Sequence, residues 1–243
     1  MRLTEQVYLV GSGALGFNET DAYDCNIYFI DGGSERMLID CGSGMGVEAI
    51  LSNLNRLGYQ ATDINWIVVT HNHADHSGGA HELRLRTGAK IICSQRTASI
   101  VQIGESAMGL KAAKEQGIYP KDYHFIPITP DLIVLDGEQI MLGELSIQFL
   151  ETPGHSFDQI SVYCPELEAL FCSDVIFAGG KIAVQQAADF SLVELEQSIR
   201  KMSKLQITDL YPGHWEPLRA DRGATLHQAI KLFDAGIIPG SIV

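Results

Sequence analysis

The sequence predicts an α+β fold in which two packed β-sheets carry helices on their outer faces. Three observations point there. Apolar runs of four to six residues recur along the chain, short enough for strands and continuous enough to be covered on both faces. Segments with apolar residues at helical spacing lie between them. Their order is neither strict strand–helix alternation nor an all-strand pattern, and two sheets with helices outside use both kinds of segment.

The strands expected in order are Gln6–Val10, Asn26–Ile30, Met37–Ile39, Ile64–Thr70, Lys90–Cys93, Leu132–Leu135, Leu145–Leu150, Ile160–Tyr163, Ala169–Cys172 and Asp209–Tyr211. Glycines fall mostly at the ends of these runs and punctuate short elements. A first helix is expected over Val47–Leu57, with Ile50, Leu51, Leu54 and Leu57 on one face. Ser94 can cap a second. Ser191, followed by Glu194, forms the capping pattern of a third, whose apolar stripe is Leu192, Leu195, Ile199 and Met202. A last helix is expected over Asp221–Ala235. No linker, repeat or low-complexity tract interrupts the chain, so residues 1–243 are expected to form a single domain.

Composition excludes several classes. With 46% hydrophobic residues the chain is too apolar for general disorder. No apolar run reaches the roughly 18–20 residues of a membrane span, and the first ten residues lack a signal-peptide pattern. The expectation is a cytoplasmic protein with no membrane partner. Seventeen basic against thirty acidic residues, net −13, argue against nucleic acid, which a basic stripe must attract. The cysteines, Cys25, Cys41, Cys93, Cys164 and Cys172, form no CxxC pair and read as small buried thiols of a reducing compartment. Oligomeric state stays open, a homodimer included.

The segment that carries chemistry is Thr70-His71-Asn72-His73-Ala74-Asp75-His76-Ser77-Gly78-Gly79, directly after an apolar strand. Its three imidazoles and one carboxylate can be folded by a loop toward one point, as ligands for zinc or a related divalent metal. By composition such a cluster is a chance event on the order of one in a thousand. Further ligand types recur at strand ends: His155 after Pro153-Gly154, Asp174 after Leu170-Phe171-Cys172-Ser173, and His214 after Pro212-Gly213. His81, His124 and His227 lack this placement and are read as non-ligands.

The H-x-H-x-D-H block, the two Pro-Gly-His blocks and the strand-end Asp, in this order, resemble the metallo-β-lactamase-fold superfamily over about Val7 to Pro217. The resemblance implies a four-layer αββα sandwich of two mixed sheets, with metals at one edge. It implies that His71, His73 and His155 hold one metal, that Asp75, His76 and His214 hold a second, and that Asp174 bridges them. Asp40, in Asp40-Cys41-Gly42, matches a position that braces the ligand loop without binding metal. The implied cofactor is two divalent ions, zinc first, with manganese or iron compatible with the donors. The implied activity is a hydrolase that uses a metal-bridging hydroxide, with Asp75 also orienting it or passing on its proton, to cleave a small-molecule ester, thioester or lactone.

The site pattern is nearest to hydroxyacylglutathione hydrolases and acyl-homoserine lactone lactonases. The former carry a long helical C-terminal domain, whereas one helix and a tail are expected after His214. The latter place a catalytic Tyr where this chain has Phe177. A mononuclear iron dioxygenase of the same fold, persulfide dioxygenase-like, and a phosphoesterase are the alternatives. The stretch from His76 to His155 is longer than compact members use. Its surplus, at about residues 95–130, is expected to be a lid that shapes the pocket with Met108, or else an extra packed helix. Phe177 is expected to face substrate. Lys181 is expected either to meet a substrate carboxylate or to be a solvated surface group.

Overall fold

The computed structural model describes residues 1–185 and 187–242. The chain divides into two units, Met1–Val134 with Leu142–Glu144, and Leu135–Met141 with Leu145–Val243. In the first unit, six strands form one mixed sheet in sequence order: β1 (Val7–Gly11), β2 (Ile27–Asp31), β3 (Arg36–Ile39), β4 (Trp66–Val68), β5 (Lys90–Ser94) and β6 (Leu132–Val134). The β1–β2 and β2–β3 pairs are antiparallel, and the rest are parallel. Helices α1 (Val47–Arg56), α2 (Ala74–Ser77), α3 (Ala80–Thr87), α4 (Gln95–Val101) and α5 (Leu110–Glu115) complete it.

In α1 the spacing of Ile50, Leu51 and Leu54 buries one stripe among Phe29, Leu38 and Ile67, while Glu48 and Arg56 complement the helix dipole at its two ends. Ser94 caps α4 by accepting from the Thr97 N–H, as its position suggests. Strand β4 is shorter than Ile64–Thr70. Ile64 closes a 3-10 turn at its start, and at its end the Thr70 N–H donates to the Asp40 carboxylate at 2.9 Å. A strand cannot continue where its ladder donor is taken by a side chain.

In the second unit, β7 (Gln139–Leu142), β8 (Leu145–Glu151), β9 (Ile160–Cys164), β10 (Ala169–Ser173) and β11 (Asp209–Pro212) form the other mixed sheet, in spatial order β11-β10-β9-β8-β7. The β10–β11 pair is parallel, while β8–β9 and β9–β10 run antiparallel. Two helices, α6 (Leu192–Met202) and α7 (Ala224–Asp234), bury Leu195, Ile199, Met202 and Leu226 with Leu170 and Leu210. Ser191 caps α6 through the Glu194 N–H. The α+β class with two mixed sheets is thus the observed one. Strand β7 was not expected from sequence, because its alternate residues Gln139 and Met141 are exposed and its apolar content is small. Among the described residues no helix is long and apolar enough to cross a membrane, and all five cysteines are buried free thiols.

Candidate metal centre

The first unit brings His71, His73, Asp75 and His76 together on the loop after β4 and on the single turn of α2. The loop folds back because the His76 and Ser77 N–H groups both donate to the His73 carbonyl, at 3.0 and 2.9 Å. The His71 ring lies 4.6 Å from that of His73 and 4.2 Å from that of His76, centroid to centroid. His71 and His76 are fully buried. The following Gly79 is pressed against the chain at Cys41: a Cβ there would sit 2.0 Å from the Cys41 carbonyl oxygen, so no larger residue fits.

Asp40 organises this loop. It lies just past β3 in the left-handed region, φ 64°, a conformation that costs a non-glycine residue free energy and persists where its surroundings enforce it. That turn lets its buried carboxylate accept from the Thr70 N–H at 2.9 Å, the Thr70 hydroxyl at 3.0 Å and His76 Nδ1 at 2.8 Å. Thr70 Oγ1, committed as a donor to Asp40, accepts in turn from His71 Nδ1 at 3.0 Å. Both imidazoles are thereby held with the proton on Nδ1, and Nε2 is the nitrogen left with ligand character. Thr70 has no role in the sequence reading, because a threonine at a strand end carries no signal of its own.

Two further partners of the loop were also missed. The Tyr119 hydroxyl donates to Asp75 Oδ1 at 3.0 Å and accepts from the Asp75 N–H at 3.1 Å. Burial, and then the neighbouring Asp75, push this phenol well above the usual tyrosine range, so it stays protonated. Cys25, fully buried, has its sulfur within 4.8 Å of ligand atoms of Asp40 and His76. Burial raises that thiol far above the ordinary value, so in the metal-free chain it is a neutral S–H.

The second unit brings His155, Asp174 and His214 together. Each follows a strand: β8, β10 and β11. Asp174 Oδ2 stands 3.4 Å from His155 Nε2 and 3.4 Å from His214 Nε2. Both distances are long for a direct hydrogen bond, and they suit three donors that converge on a shared point. Left-handed residues sit beside these groups, Ser173 at φ 48° before Asp174 and Trp215 at φ 63° after His214. Gly154, at φ 139°, precedes His155, and a Cβ there would lie 2.3 Å from the Leu195 backbone. The Gln185 amide nitrogen lies 3.1 Å from His155 Nε2.

Phe177 is fully buried, its ring 6.4 Å from that of His214 and 6.5 Å from that of Trp215. Lys181 is exposed, and its ammonium lies 4.7 Å above the Trp215 ring. Met108 lies between α4 and α5, half-buried against the core of the first unit. His124 is exposed with its Nδ1 3.4 Å from a Glu105 carboxylate oxygen, and His227 Nδ1, on α7, contacts the Gly223 carbonyl at the start of that helix. Imidazole nitrogens and carboxylates gathered in each unit, with the tautomers of His71 and His76 set by Thr70 and Asp40, have the donor chemistry of a divalent metal site.

The sequence matches the metallo-beta-lactamase superfamily over residues 20–214. A hydroxyacylglutathione hydrolase of Rhodospirillum rubrum is 28% identical over 168 residues, 69% of this chain and 53% of that protein. An atrochrysone carboxyl ACP thioesterase of Aspergillus fumigatus is 27% identical over 190 residues, 78% of this chain and 50% of that protein. The chain thus spans about half the length of these curated relatives. A metallo-beta-lactamase family protein from Thermus thermophilus, of known structure, aligns with a TM-score of 0.75 over 96% of this chain and 81% of that one; at 21% identity the likeness is one of fold. Motif, fold and sequence match together show that this chain belongs to the metallo-beta-lactamase superfamily.

Proposed function

We propose that the chain is a metal-dependent hydrolase whose seven donors serve one two-metal centre. In this reading His71, His73 and His155 hold one ion, Asp75, His76 and His214 hold the other, and Asp174 is shared. Zinc is the first candidate, with manganese and iron compatible with nitrogen and oxygen donors. The observation that carries the reading is the Asp40–Thr70 network, which spends three hydrogen bonds of a buried carboxylate on setting the tautomers of His71 and His76. A purely structural histidine has no use for that arrangement, whereas a ligand does.

Divalent ions held by these donors would polarise a scissile carbonyl and lower the pKa of water from about 15.7 to ~7. The chain's own residues do the rest. Asp75, with a fifth of its side chain exposed, is the carboxylate able to hold a proton in transit. Lys181 above Trp215 meets a carboxylate on the substrate, and Phe177 backs that aromatic wall. Residues 95–130, with Met108, cover the substrate side, and the whole chain works as one catalytic domain.

The substrate class is a small ester, thioester or lactone. Thioester stands first, because one relative is named a thioesterase and another a hydroxyacylglutathione hydrolase. The test is proton release in a pH-stat from matched acyl thioesters, lactones and esters, on zinc- and manganese-loaded protein, with and without chelator. Chelator-sensitive turnover of one class supports the reading. No turnover of any class on protein shown to hold metal refutes the hydrolase, and oxygen uptake by iron-loaded protein would then identify an oxygenase.

A further inference from the structure

We propose that Tyr119 is a positioning residue for Asp75: its hydroxyl takes Oδ1 and the backbone N–H of Asp75, so that the carboxylate presents Oδ2 beside His76 Nε2. The inference rests on the reading of Asp75 as a metal ligand. It goes beyond that reading by assigning a task to a residue of the segment at 95–130, which holds none of the proposed ligands.

The geometry is specific. Asp75 sits on a helix of one turn with its side chain partly exposed, so packing alone does not choose its rotamer. One phenol fixes it at two points, 3.0 Å to Oδ1 and 3.1 Å from the backbone nitrogen. Because that hydroxyl accepts from the backbone N–H, its single proton is directed to Oδ1. Oδ2 is then the oxygen turned toward His76 Nε2, at 3.5 Å. The two groups assigned to the same ion are in this way presented together.

The phenol is itself held. Tyr119 stacks on Tyr123, centroids 5.2 Å apart at 24°, and on Tyr23, 5.8 Å apart at 29°. Tyr123 is buried and donates to the Ser43 carbonyl at 2.8 Å. A ladder of three rings therefore ties the segment after α5 to the loop at Tyr23. The hydroxyl of its middle member is the part that reaches Asp75. A phenylalanine would keep the ladder and lose the clamp.

The experiment is zinc titration against a chelating indicator, on the full chain, of wild type, Y119F, Y123F, D75N and the Y119F/D75N pair. Thermal unfolding of each metal-free protein is the control for folding. Y119F is expected to weaken zinc binding by about ten- to a hundredfold, the usual effect of removing a partner that orients a ligand, with the metal-free Tm little changed. Y123F, which shares the ladder without touching Asp75, is expected to bind as wild type does. Adding Y119F to D75N is expected to cost nothing further, because D75N already removes the carboxylate oxygen that Tyr119 orients. Y119F that binds zinc like wild type, or that weakens D75N equally, overturns the inference and leaves the metal reading intact. The same holds if Y123F reproduces the loss or if Y119F fails to fold, since Tyr119 is then structural. Wild type that takes up no zinc overturns the metal reading and this inference with it.

Discussion

Replacing Asp40 with Asn tests the loop at its most connected point. The substitution keeps the shape, and Asn tolerates the left-handed backbone that Asp40 adopts. What changes is the balance of donors and acceptors. Three donors converge on two carboxylate oxygens: the Thr70 N–H on Oδ1, and the Thr70 hydroxyl and His76 Nδ1 on Oδ2. An amide has one oxygen and places an NH2 where the other stood. If the oxygen stays with the Thr70 N–H, the NH2 faces the Thr70 hydroxyl and His76 Nδ1. If it turns, the NH2 faces the Thr70 N–H. Hydrogen bonds to a charged group contribute about 1.5–3 kcal/mol each. Losing the two on Oδ2 therefore destabilises the metal-free fold by about 3 kcal/mol at the lower end. An NH2 against Nδ1 also favours the other His76 tautomer, which moves the proton onto Nε2, and zinc affinity should fall by about ten- to a hundredfold. Urea unfolding with chelator present reads the first effect, and indicator competition reads the second. D40N that keeps zinc affinity within about twofold of wild type, while losing the expected stability, would refute the tautomer argument.

Asp174→Ala removes the carboxylate that stands 3.4 Å from two imidazoles, and metal analysis should show loss of bound zinc together with activity, whereas His227→Ala on α7 should change neither. Gly154→Ala would drive a methyl into the Leu195 backbone at a positive φ, so a drop of roughly 2–3 kcal/mol in unfolding free energy is expected, alongside weaker metal binding through His155. Asp24 carries a pH signature. Burial raises its carboxyl above the ordinary value, in spite of the hydrogen bonds from Ser43 and Asp21. The folded chain then holds that proton more tightly than the unfolded one, so this group's contribution falls as pH rises from the ordinary carboxylate value of 3.8 through the raised one. Asp24→Asn should flatten that part of the stability–pH curve, and an unchanged slope would contradict it.

The candidate ligands were legible because their signal is local. Three histidines and an aspartate inside one short loop, and a Pro-Gly-His or Ser-Asp at the end of an apolar run, can be recognised without knowing what the chain does elsewhere. The strands were legible for the same reason, with ends displaced by a residue or two. Strand β4 is trimmed at both ends, and β7, half exposed and poor in apolar residues, was passed over. Asp40 was visible as a loop brace through its motif, but not the partner that completes it. Thr70 looks ordinary until its N–H, its hydroxyl and the His71 ring are seen to share one carboxylate.

The pattern and spacing of residues by themselves determined the fold class, the candidate ligands and the order in which the chain delivers them. That information is carried by neighbours in sequence and by the periodicity of burial. The tertiary structure alone decided which strands pair in parallel, which imidazole nitrogen carries the proton, and that a tyrosine 44 residues from Asp75 grips its carboxylate. Each of these depends on distances between segments far apart in the chain. A hydrogen bond between such segments forms only where backbone closure and packing bring donor and acceptor within about 3 Å, and no local pattern of residue types records that distance.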